Sequence, residues 1–430
     1  MLNPRYKKSH ELFAKAEKII PLGSQTFSKS SLQYIKGQAP LFMERGQGAH
    51  IWDIDGNKYV DFINGLLPVI LGYRYKAVDD AIKKQLEKGI IFSMASPLEY
   101  ELSELLIKHI PCAEMVRFGK NGSDVTTGAI RVARAATGRD HIAACGYHGW
   151  HDWYIGTTTR NQGVPAATRE LTHKFVYNDI ESLKKIFKEH KNKIAAVIME
   201  PVNFTEPTND FLKKVKALAH ENGALLIFDE VITGFRYGLG GAQKLFGVTP
   251  DLAAFGKSMS NGMPLSALVG KKKYMKEVCN IFYSFTNGGE ALSMAAAVAT
   301  IKELEQKRVP EFIWIKGAYL AQKTTELIQK NGLEDVLKIK GLPCWTMLDV
   351  SDYKKYSSLI ISSYLQQEII GRGYFWHGQH NISFSHTQKD IDGLIGVYAE
   401  VFANLKKLLI TNKLSSAIKG APITNIFKVR

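Results

Sequence analysis

DFLKKVKALAHENGALLIFDE, residues 210–230, is the stretch that decides the fold. Residues 210–223 are typical of a crossover helix, and residues 224–230 form a short, almost continuous apolar run. A second such run, IAAVIMEP, occupies residues 194–201. Apolar runs of this length suit strands that are covered on both faces, as in a parallel sheet. The stretch therefore predicts a strand–helix–strand unit of an α/β fold.

Outward from this unit, short apolar segments continue to alternate with helical patterns. Apolar residues alternate on both sides of Asp55-Gly56-Asn57, which predicts a hairpin. Leu98, Leu102, Leu105 and Leu106 share one face of a helix. The further expected strands are EMVRF (114–118), LAAF (252–255) and LSALVG (265–270), and the further helices are residues 125–138 and 289–307.

From about residue 310 the pattern changes, which predicts a second domain of α+β type. The expected elements are a helix at 310–332, strands in PCWTMLDV (343–350), GYFW (373–376) and ISFSH (382–386), and helices at 357–373 and 388–409. The basic tail from residue 411 shows no clear element. We expect residues 61–308 to form the large domain, 309–430 the small domain, and 1–60 a segment that packs with the small domain.

Composition and charge exclude several classes of protein. The 430 residues carry a formal charge of +15 with a pI near 9.4. This charge has two interpretations, a lysine-rich solvated surface or attraction of acidic partners. No nucleic-acid-binding motif, signal peptide or membrane-length apolar run occurs. The four cysteines are far apart and give neither zinc spacing nor a disulfide framework, so we expect no metal and a cytoplasmic location.

Lys257 follows a predicted strand in DLAAFGKSMSNG, residues 251–262. A surface turn, a phosphate-binding loop and a covalent cofactor anchor are the three interpretations. A phosphate loop requires a glycine five residues before Gly256, and Asp251 stands there. That loop is therefore excluded, and the other two interpretations remain.

Asp229 closes the run LLIFD and is expected to be buried. A buried carboxylate needs a cationic or hydrogen-bonding partner. The ring nitrogen of pyridoxal phosphate is such a partner, and a lysine amine reacts with the aldehyde of the same cofactor. Asp229 and Lys257 both follow predicted strands, whose carboxyl ends face the ligand crevice of an open α/β sheet.

Two loops add candidate contacts. A strand ends near Phe118, and the turn Asn121-Gly122-Ser123 leads directly into a helix. Backbone N–H groups at a helix start bind phosphate, although such a turn is also an ordinary N-cap. CGYHGWHDW (145–153) contains Tyr147 and His148, which are candidates either for stacking on a planar ring or for aromatic packing in the core.

Taken together, these segments resemble the class III aminotransferases of pyridoxal-phosphate fold type I, and most closely their glutamate-1-semialdehyde aminomutase branch. The segments run in the order of the family and cover residues 20–305. They are PLFMERGQGAHIWDIDGNKYVDF, KNGSDVTTGAIRVARAATGRD, GYHGWHDW, MEPV, FDEVITGFR, GVTPDLAAFGKSMSNGMPLSALVG and SFTNGGEALSMAAAVATI.

The resemblance implies a role for each matching residue. Lys257 is then the Schiff-base lysine and the base that moves a proton between substrate and cofactor, and Asp229 pairs with the pyridine nitrogen. Val231 packs under the ring, and Tyr147 stacks on its other face. The further implied cofactor contacts are Gly122 and Ser123 at the phosphate, Glu200 near the site, and Asn203 at the ring oxygen. His148 remains a candidate for stacking on the ring from its position in the loop.

The resemblance also implies a homodimer, in which Thr286 reaches the cofactor phosphate of the neighbouring subunit.

Many class III transaminases have a glutamine at the position of Ile232. At this position the chain resembles the aminomutase branch. Lys29 replaces an arginine of the aminomutase that holds the substrate carboxylate. Ser383 replaces a C-terminal arginine of many transaminases, and arginine is not equivalent to lysine or serine at a carboxylate.

Further departures lie on the substrate side. Leu66 replaces a tryptophan of the family, and Gly378 aligns near a glutamate of the aminomutase. Lys29, His377 and His380 are therefore the expected substrate contacts of a changed pocket.

The predicted function is a pyridoxal-phosphate-dependent aminotransferase that moves an amino group between a small-molecule donor and a carbonyl acceptor. The departures favour an acceptor in sugar or cell-surface polymer biosynthesis. An intramolecular aminomutase and a catalytically silent binding protein of the same fold remain alternatives. A decarboxylase or racemase on this fold is a further one.

Overall fold

The fold is described from a computed structural model, for residues 3–424. The strands are β1 (Met43–Gln47), β2 (His50–Asp53), β3 (Lys58–Asp61), β4 (Met115–Gly119), β5 (His141–Cys145), β6 (Thr172–Lys174), β7 (Ile194–Met199), β8 (Leu225–Asp229), β9 (Leu252–Phe255), β10 (Ser266–Gly270), β11 (Leu337–Lys340), β12 (Thr346–Val350), β13 (Tyr374–Phe375) and β14 (Gln379–His380).

The helices are α1 (Lys7–Ala16), α2 (Lys76–Leu86), α3 (Pro97–His109), α4 (Gly122–Thr137), α5 (Asp152–Ile155), α6 (Ala166–Arg169), α7 (Ile180–Glu189), α8 (Phe211–Glu221), α9 (Gly241–Leu245), α10 (Lys272–Met275), α11 (Ala291–Gln306), α12 (Val309–Lys330), α13 (Ser358–Gly371), α14 (Gln388–Ile410) and α15 (Leu414–Ala417). Short 3-10 turns add Pro4–Tyr6, Pro21–Gly23, Phe27–Lys29, Ser31–Gln33, Lys257–Ser260 and Lys276–Cys279.

The large sheet has seven strands in the order β4-β10-β9-β8-β7-β5-β6. The five strands from β9 to β6 are parallel, and β10 runs antiparallel to β4 and β9. Strands β7 and β8 are buried at every position, because helices cover both faces of a parallel sheet. The predicted α/β fold with a mainly parallel sheet is confirmed.

The described chain divides into two compact units. Residues 76–310 form the first, which contains the seven-stranded sheet. Residues 3–75 and 311–424 form the second. Its sheets are β1-β2-β3-β13, in which β13 pairs parallel with β3, and the antiparallel β11-β12-β14. The hairpin predicted around Gly56 is the β2–β3 pair.

The strand predicted for ISFSH is wrong. Its backbone N–H groups do not form a ladder: Ser383 donates to His386 Nδ1 at 3.0 Å, and Phe384 donates to the carbonyl of Ile70 at 2.8 Å. The local strand is instead β14, which begins three residues earlier. The tail contains the short helix α15, where the sequence indicated no clear element.

Candidate active site

A cavity of about 200 Å³ opens in the unit of residues 76–310, at the carboxyl ends of its parallel strands. This is the edge at which ligands bind to open α/β sheets. Its lining includes eight of the predicted cofactor contacts. The lining residues are Gly122, Ser123, Thr126, Tyr147, His148, Gly149, Glu200, Asp229, Val231, Ile232 and Lys257.

Asp229 is the last residue of β8, and its side chain is held on both oxygens. Oδ1 accepts a hydrogen bond from the N–H of Val231 at 3.1 Å, and Oδ2 lies 2.8 Å from Nδ1 of His148. His148 is 2% exposed, and its Nε2 lies 3.2 Å from the carbonyl oxygen of Cys145. Both ring nitrogens therefore lie within hydrogen-bonding distance of an oxygen atom. The buried His148 ring thus fixes the position of the Asp229 carboxyl group.

Lys257 follows β9 by two residues. Strands β8 and β9 are parallel neighbours with Asp229 opposite Ala254, so the two predicted key residues extend from adjacent strand ends. Lys257 has φ +41°, an unusual left-handed backbone for a residue with a side chain. Such a conformation costs on the order of 1–3 kcal/mol and persists where the surroundings impose it, often at functional sites. Here it occurs at a residue that lines the cavity.

The start of α4 forms one side of the cavity. Gly122 is the first residue of this 16-residue helix, and its N–H groups and dipole provide an anion site. The Ser123 hydroxyl oxygen accepts from the N–H of Trp150 at 3.2 Å. Gly149 has φ +104°, and a Cβ there would overlap the Ser123 hydroxyl oxygen. Only glycine therefore lets this loop approach the helix start.

Tyr147 and Glu200 are adjacent in the cavity wall. The N–H of Tyr147 donates to Glu200 Oε2 at 3.2 Å, and the Tyr147 ring packs edge-on against Tyr154. Burial, and then the nearby Asp229 carboxylate, raise the pKa of Tyr147. Its ring is 40% exposed, so an aromatic face is available at the mouth of the cavity.

Two predicted cofactor contacts do not line the cavity of this chain. Asn203 turns back on its own loop, where its Oδ1 accepts from the N–H of Thr205 at 2.9 Å. Thr286 is an exposed residue of the loop before α11. The roles given to Asn203 and Thr286 stay predictions.

The three predicted substrate contacts belong to the other unit. Lys29 is exposed at the end of a 3-10 turn, and His377 is half-buried in the loop before β14. His380 is buried, with Nδ1 2.9 Å from the Thr346 hydroxyl and Nε2 2.7 Å from that of Tyr398. Both of its nitrogens thus have partners inside the unit. The substrate contacts of all three residues stay predictions.

Sequence reasoning missed Thr126 and Gly149 as lining residues. Thr126 lies one helical turn after Ser123, and its hydroxyl donates to the carbonyl of His148 at 2.8 Å, so helical spacing was a usable signal. His148 was expected beside the ring; it lines the cavity and contacts Asp229, and its contact with the ring stays a prediction. His151 has the Thr127 hydroxyl at 2.7 Å from its Nδ1.

The donor set of this cavity fits pyridoxal phosphate. Asp229 supplies a carboxyl group for the ring nitrogen, the start of α4 supplies N–H donors for a phosphate, and Lys257 supplies an amine. Tyr147 and Val231 add aromatic and aliphatic surfaces for a planar ring.

Comparisons with known proteins agree with this geometry. The sequence profile described as aminotransferase class-III matches residues 33–372. The chain belongs to the class III aminotransferase family. It is accordingly an enzyme of the transaminase or aminomutase type, and the predicted resemblance is confirmed.

Among the relatives, a 3-aminobutyryl-CoA aminotransferase of Cloacimonas acidaminovorans is 36% identical over 94% of this chain and 98% of its own length. A glutamate-1-semialdehyde 2,1-aminomutase of Desulfitobacterium hafniense is 36% identical over 93% of this chain and 99% of its own. Among solved structures, the FumI protein of Sphingopyxis sp. MTA144, described with PLP, superposes with a TM-score of 0.87. It is 28% identical and covers 94% of this chain and 98% of its own.

Proposed function

We propose that this enzyme is an aminotransferase that moves an amino group between two separate small molecules, an amino donor and a carbonyl acceptor. Its cofactor is pyridoxal phosphate, the cofactor of the class III family. The observation that carries the proposal is the convergence of Asp229, Lys257 and the start of α4 in one cavity. These groups match the ring nitrogen, the aldehyde and the phosphate of that cofactor.

Each residue has a distinct task in this proposal. When bound, the cofactor supplies an electron sink that makes a proton on the neighbouring substrate carbon removable. Asp229, supported by His148, keeps the ring nitrogen protonated. The N–H groups of Gly122 and Ser123 hold the phosphate. The Lys257 amine is the covalent anchor and also the base that takes and returns the substrate proton.

We propose that at least one of the two substrates, the amino donor or the carbonyl acceptor, lacks a free α-carboxylate. Ser383 stands where many relatives have an arginine. Its side chain is short, and its Oγ lies 2.9 Å from Nδ1 of His386 in the same unit. Lys29 provides a single ammonium group and not a planar fork. Neither residue reproduces bidentate carboxylate binding.

The charge of +15 favours a substrate with anionic groups elsewhere, such as a phosphorylated or nucleotide-linked compound. Sugar or cell-surface polymer biosynthesis is the pathway class that we propose. The name of the relative 3-aminobutyryl-CoA aminotransferase offers a second compound type, an amine on a thioester, which also lacks a free carboxylate.

An intramolecular aminomutase is the second candidate. Relatives with that name are 36% identical, and Ile232 lines the cavity where many transaminases have a glutamine.

We also propose a homodimer and a cytoplasmic location. The scattered cysteines support the location, and in the described part of the chain no helix has the length and apolarity to cross a membrane.

The covalent anchor is tested by borohydride reduction of the purified holoenzyme, followed by peptide mass spectrometry. We expect a stable cofactor adduct on the peptide that contains Lys257, and none in Lys257→Ala. The matched control is Lys244→Ala, which removes an exposed lysine of α9. A protein that takes up no cofactor, or an adduct that persists in Lys257→Ala, would overturn the assignment.

The reaction type is tested with a panel of amines and carbonyl compounds, with each product identified by mass spectrometry. We expect amino transfer only when a donor and an acceptor are both present, with at least one partner that lacks an α-carboxylate. Turnover of glutamate-1-semialdehyde alone would instead support the aminomutase. Binding of the cofactor without conversion of any amine would support a silent binding protein.

A further inference from the structure

Three histidines meet at the edge of the large sheet, away from the proposed catalytic residues. His141, His173 and His190 each offer a ring nitrogen, and the three atoms lie within 4.8 Å of one another. His141 Nδ1 is 2.9 Å from His173 Nε2, and the rings of His173 and His190 stack with centroids 3.8 Å apart. Among residues 3–424 this is the one group of three or more metal-ligating side chains that satisfies this spacing.

The fold brings these histidines together from three separate elements. His141 is the first residue of β5, His173 lies in the edge strand β6, and His190 follows the last residue of α7. The parallel β5–β6 pair sets Ala143 opposite His173, so His141 is its diagonal neighbour. The other end of β5, Cys145, is four residues away, about 13 Å at the rise of a strand. The trio therefore lies well separated from the strand ends that form the cavity.

The surroundings leave the trio half-buried and accessible to a small ion. All three rings are partly exposed, so a small ion has access. Burial, and then the neighbouring His190 and His141, lower the pKa of His173 to about 4. Among the nearby charges, Lys193 and Arg134 oppose a cation at His141, and Asp140 favours one.

We propose that His141, His173 and His190 form a binding site for a divalent transition-metal ion. Neutral imidazole nitrogens are preferred ligands of Zn²⁺, Cu²⁺ and Ni²⁺. With Zn–N bonds of about 2.0–2.1 Å, two ligands of a tetrahedral ion are about 3.3 Å apart. The 2.9 Å between His141 and His173 is a few tenths of an ångström shorter than this, and the nearly parallel rings of the trio would rotate on binding so that their nitrogens point at one ion.

Three histidine ligands leave a fourth tetrahedral position for water. No residue of the trio touches the cavity, so the ion would act on the sheet edge and not on amino transfer. A bound ion would cross-link the edge strand β6 with β5 and with the end of α7. We therefore expect bound metal to raise the melting temperature and to leave the amino-transfer rate unchanged.

The test is equilibrium dialysis of chelator-treated holoenzyme against Zn²⁺, with metal analysis and thermal unfolding. We expect one ion per chain that raises the melting temperature. Each of His141→Gln, His173→Gln and His190→Gln is expected to weaken binding at least about tenfold, as removal of even a supporting group does. The matched control is His10→Gln, a half-buried histidine of α1, which should keep full binding.

His190→Gln guards against a folding defect, because His190 lies beyond α7 and outside the sheet. Circular dichroism of each variant establishes that it is folded before binding is measured. Absence of stoichiometric Zn²⁺ on the unmodified protein would overturn the proposal. Binding that survives in all folded variants of the trio would overturn it as well, because the ion would then lie elsewhere.

Discussion

At the scale of one residue, Gly149 determines how closely its loop approaches Ser123 at the start of α4. Gly149→Ala would push a methyl group into the Ser123 hydroxyl and strain a backbone at φ +104°. We expect cofactor affinity to fall at least about tenfold, because Ser123 and the start of α4 must move apart. Tenfold corresponds to about 1.4 kcal/mol. The measurement is a titration of the apoenzyme with pyridoxal phosphate.

The control is Gly163→Ala, at φ +87° with no atom within 4 Å of the added methyl group. It has a comparable backbone strain without the collision. Equal affinities for the two variants would mean that strain, and not the contact with Ser123, determines the effect.

His148 is expected to act on the reaction through Asp229. His148→Asn shortens the side chain and breaks the 2.8 Å contact with Asp229 Oδ2. A buried carboxyl group that loses a hydrogen-bonding partner pays a desolvation cost and is less firmly positioned. We expect the rate of the half-reaction with an amino donor to fall at least about tenfold, with a changed pH profile. A merely structural role would alter stability and leave that profile unmoved.

His151→Asn is the matched control, because His151 lies in the same loop but contacts Thr127. Its pH profile should follow that of the unmodified enzyme. The sequence predicted that this loop and Asp229 belong to the site. It did not predict the contact of His148 with Asp229, because that contact depends on the direction of the side chain, which the spacing of residues does not give.

At the scale of elements, the contact of β12, β14 and α14 around His380 predicts acid sensitivity. Burial lowers the pKa of His380 to about 3, against about 6.5 in an unfolded chain. Below pH 6.5 the His380 ring binds a proton in the unfolded chain, whereas in the folded chain it binds one only near pH 3. The free energy of unfolding therefore falls as pH drops through this window, by about 2–3 kcal/mol at pH 4.5.

This prediction is checked by urea unfolding at pH 7 and pH 4.5. His380→Gln should be less stable at pH 7, since Thr346 or Tyr398 loses a partner, but should lose less stability on acidification. His151→Gln serves as the control and should keep the pH dependence. An unchanged pH dependence in His380→Gln would show that other groups cause the acid sensitivity.

The predicted elements agree well where hydrophobic periodicity and strand pairing coincide. Residues 194–230 became β7, α8 and β8, because each apolar run has a sheet neighbour on both sides. ISFSH alternates apolar and polar residues as a half-buried strand would, but it has no neighbouring strand, since its N–H groups donate to His386 and to the loop at Ile70. The histidine trio depends on the β5–β6 register, and its members are 17 or more residues apart in sequence. No local pattern could predict it.

At the scale of the whole molecule, the exposed apolar residues before α3 predict a homodimer. Leu86 to Phe92 include four large apolar side chains that are 45–53% exposed, and Met94 is 84% exposed. Exposed apolar patches of this kind mark protein–protein interfaces. The carbonyl of Ile90 accepts from the N–H of Ala291, so this segment adjoins the end of the loop that carries Thr286.

We expect light scattering to give twice the chain mass of 48.1 kDa. Met94→Lys should shift the protein towards monomer and weaken cofactor binding, because each site would lose the Thr286 contact of its neighbour. Ile19→Lys, which changes an 82% exposed residue of the other unit, is the control. A monomeric unmodified protein, or a Met94→Lys dimer with normal affinity, would contradict the prediction.

The pairing of β13 with β3 has a consequence for how the chain is made. Strands β1 to β3 are synthesised before their fourth partner, β13, which lies more than 300 residues later in the chain. At translation rates of about 5–20 residues per second, the edge of β3 that pairs with β13 stays unpaired for roughly 15–60 s. An unpaired edge strand is a template for wrong association. A charged residue on the open edge, such as Lys58 in β3, opposes such association during this interval.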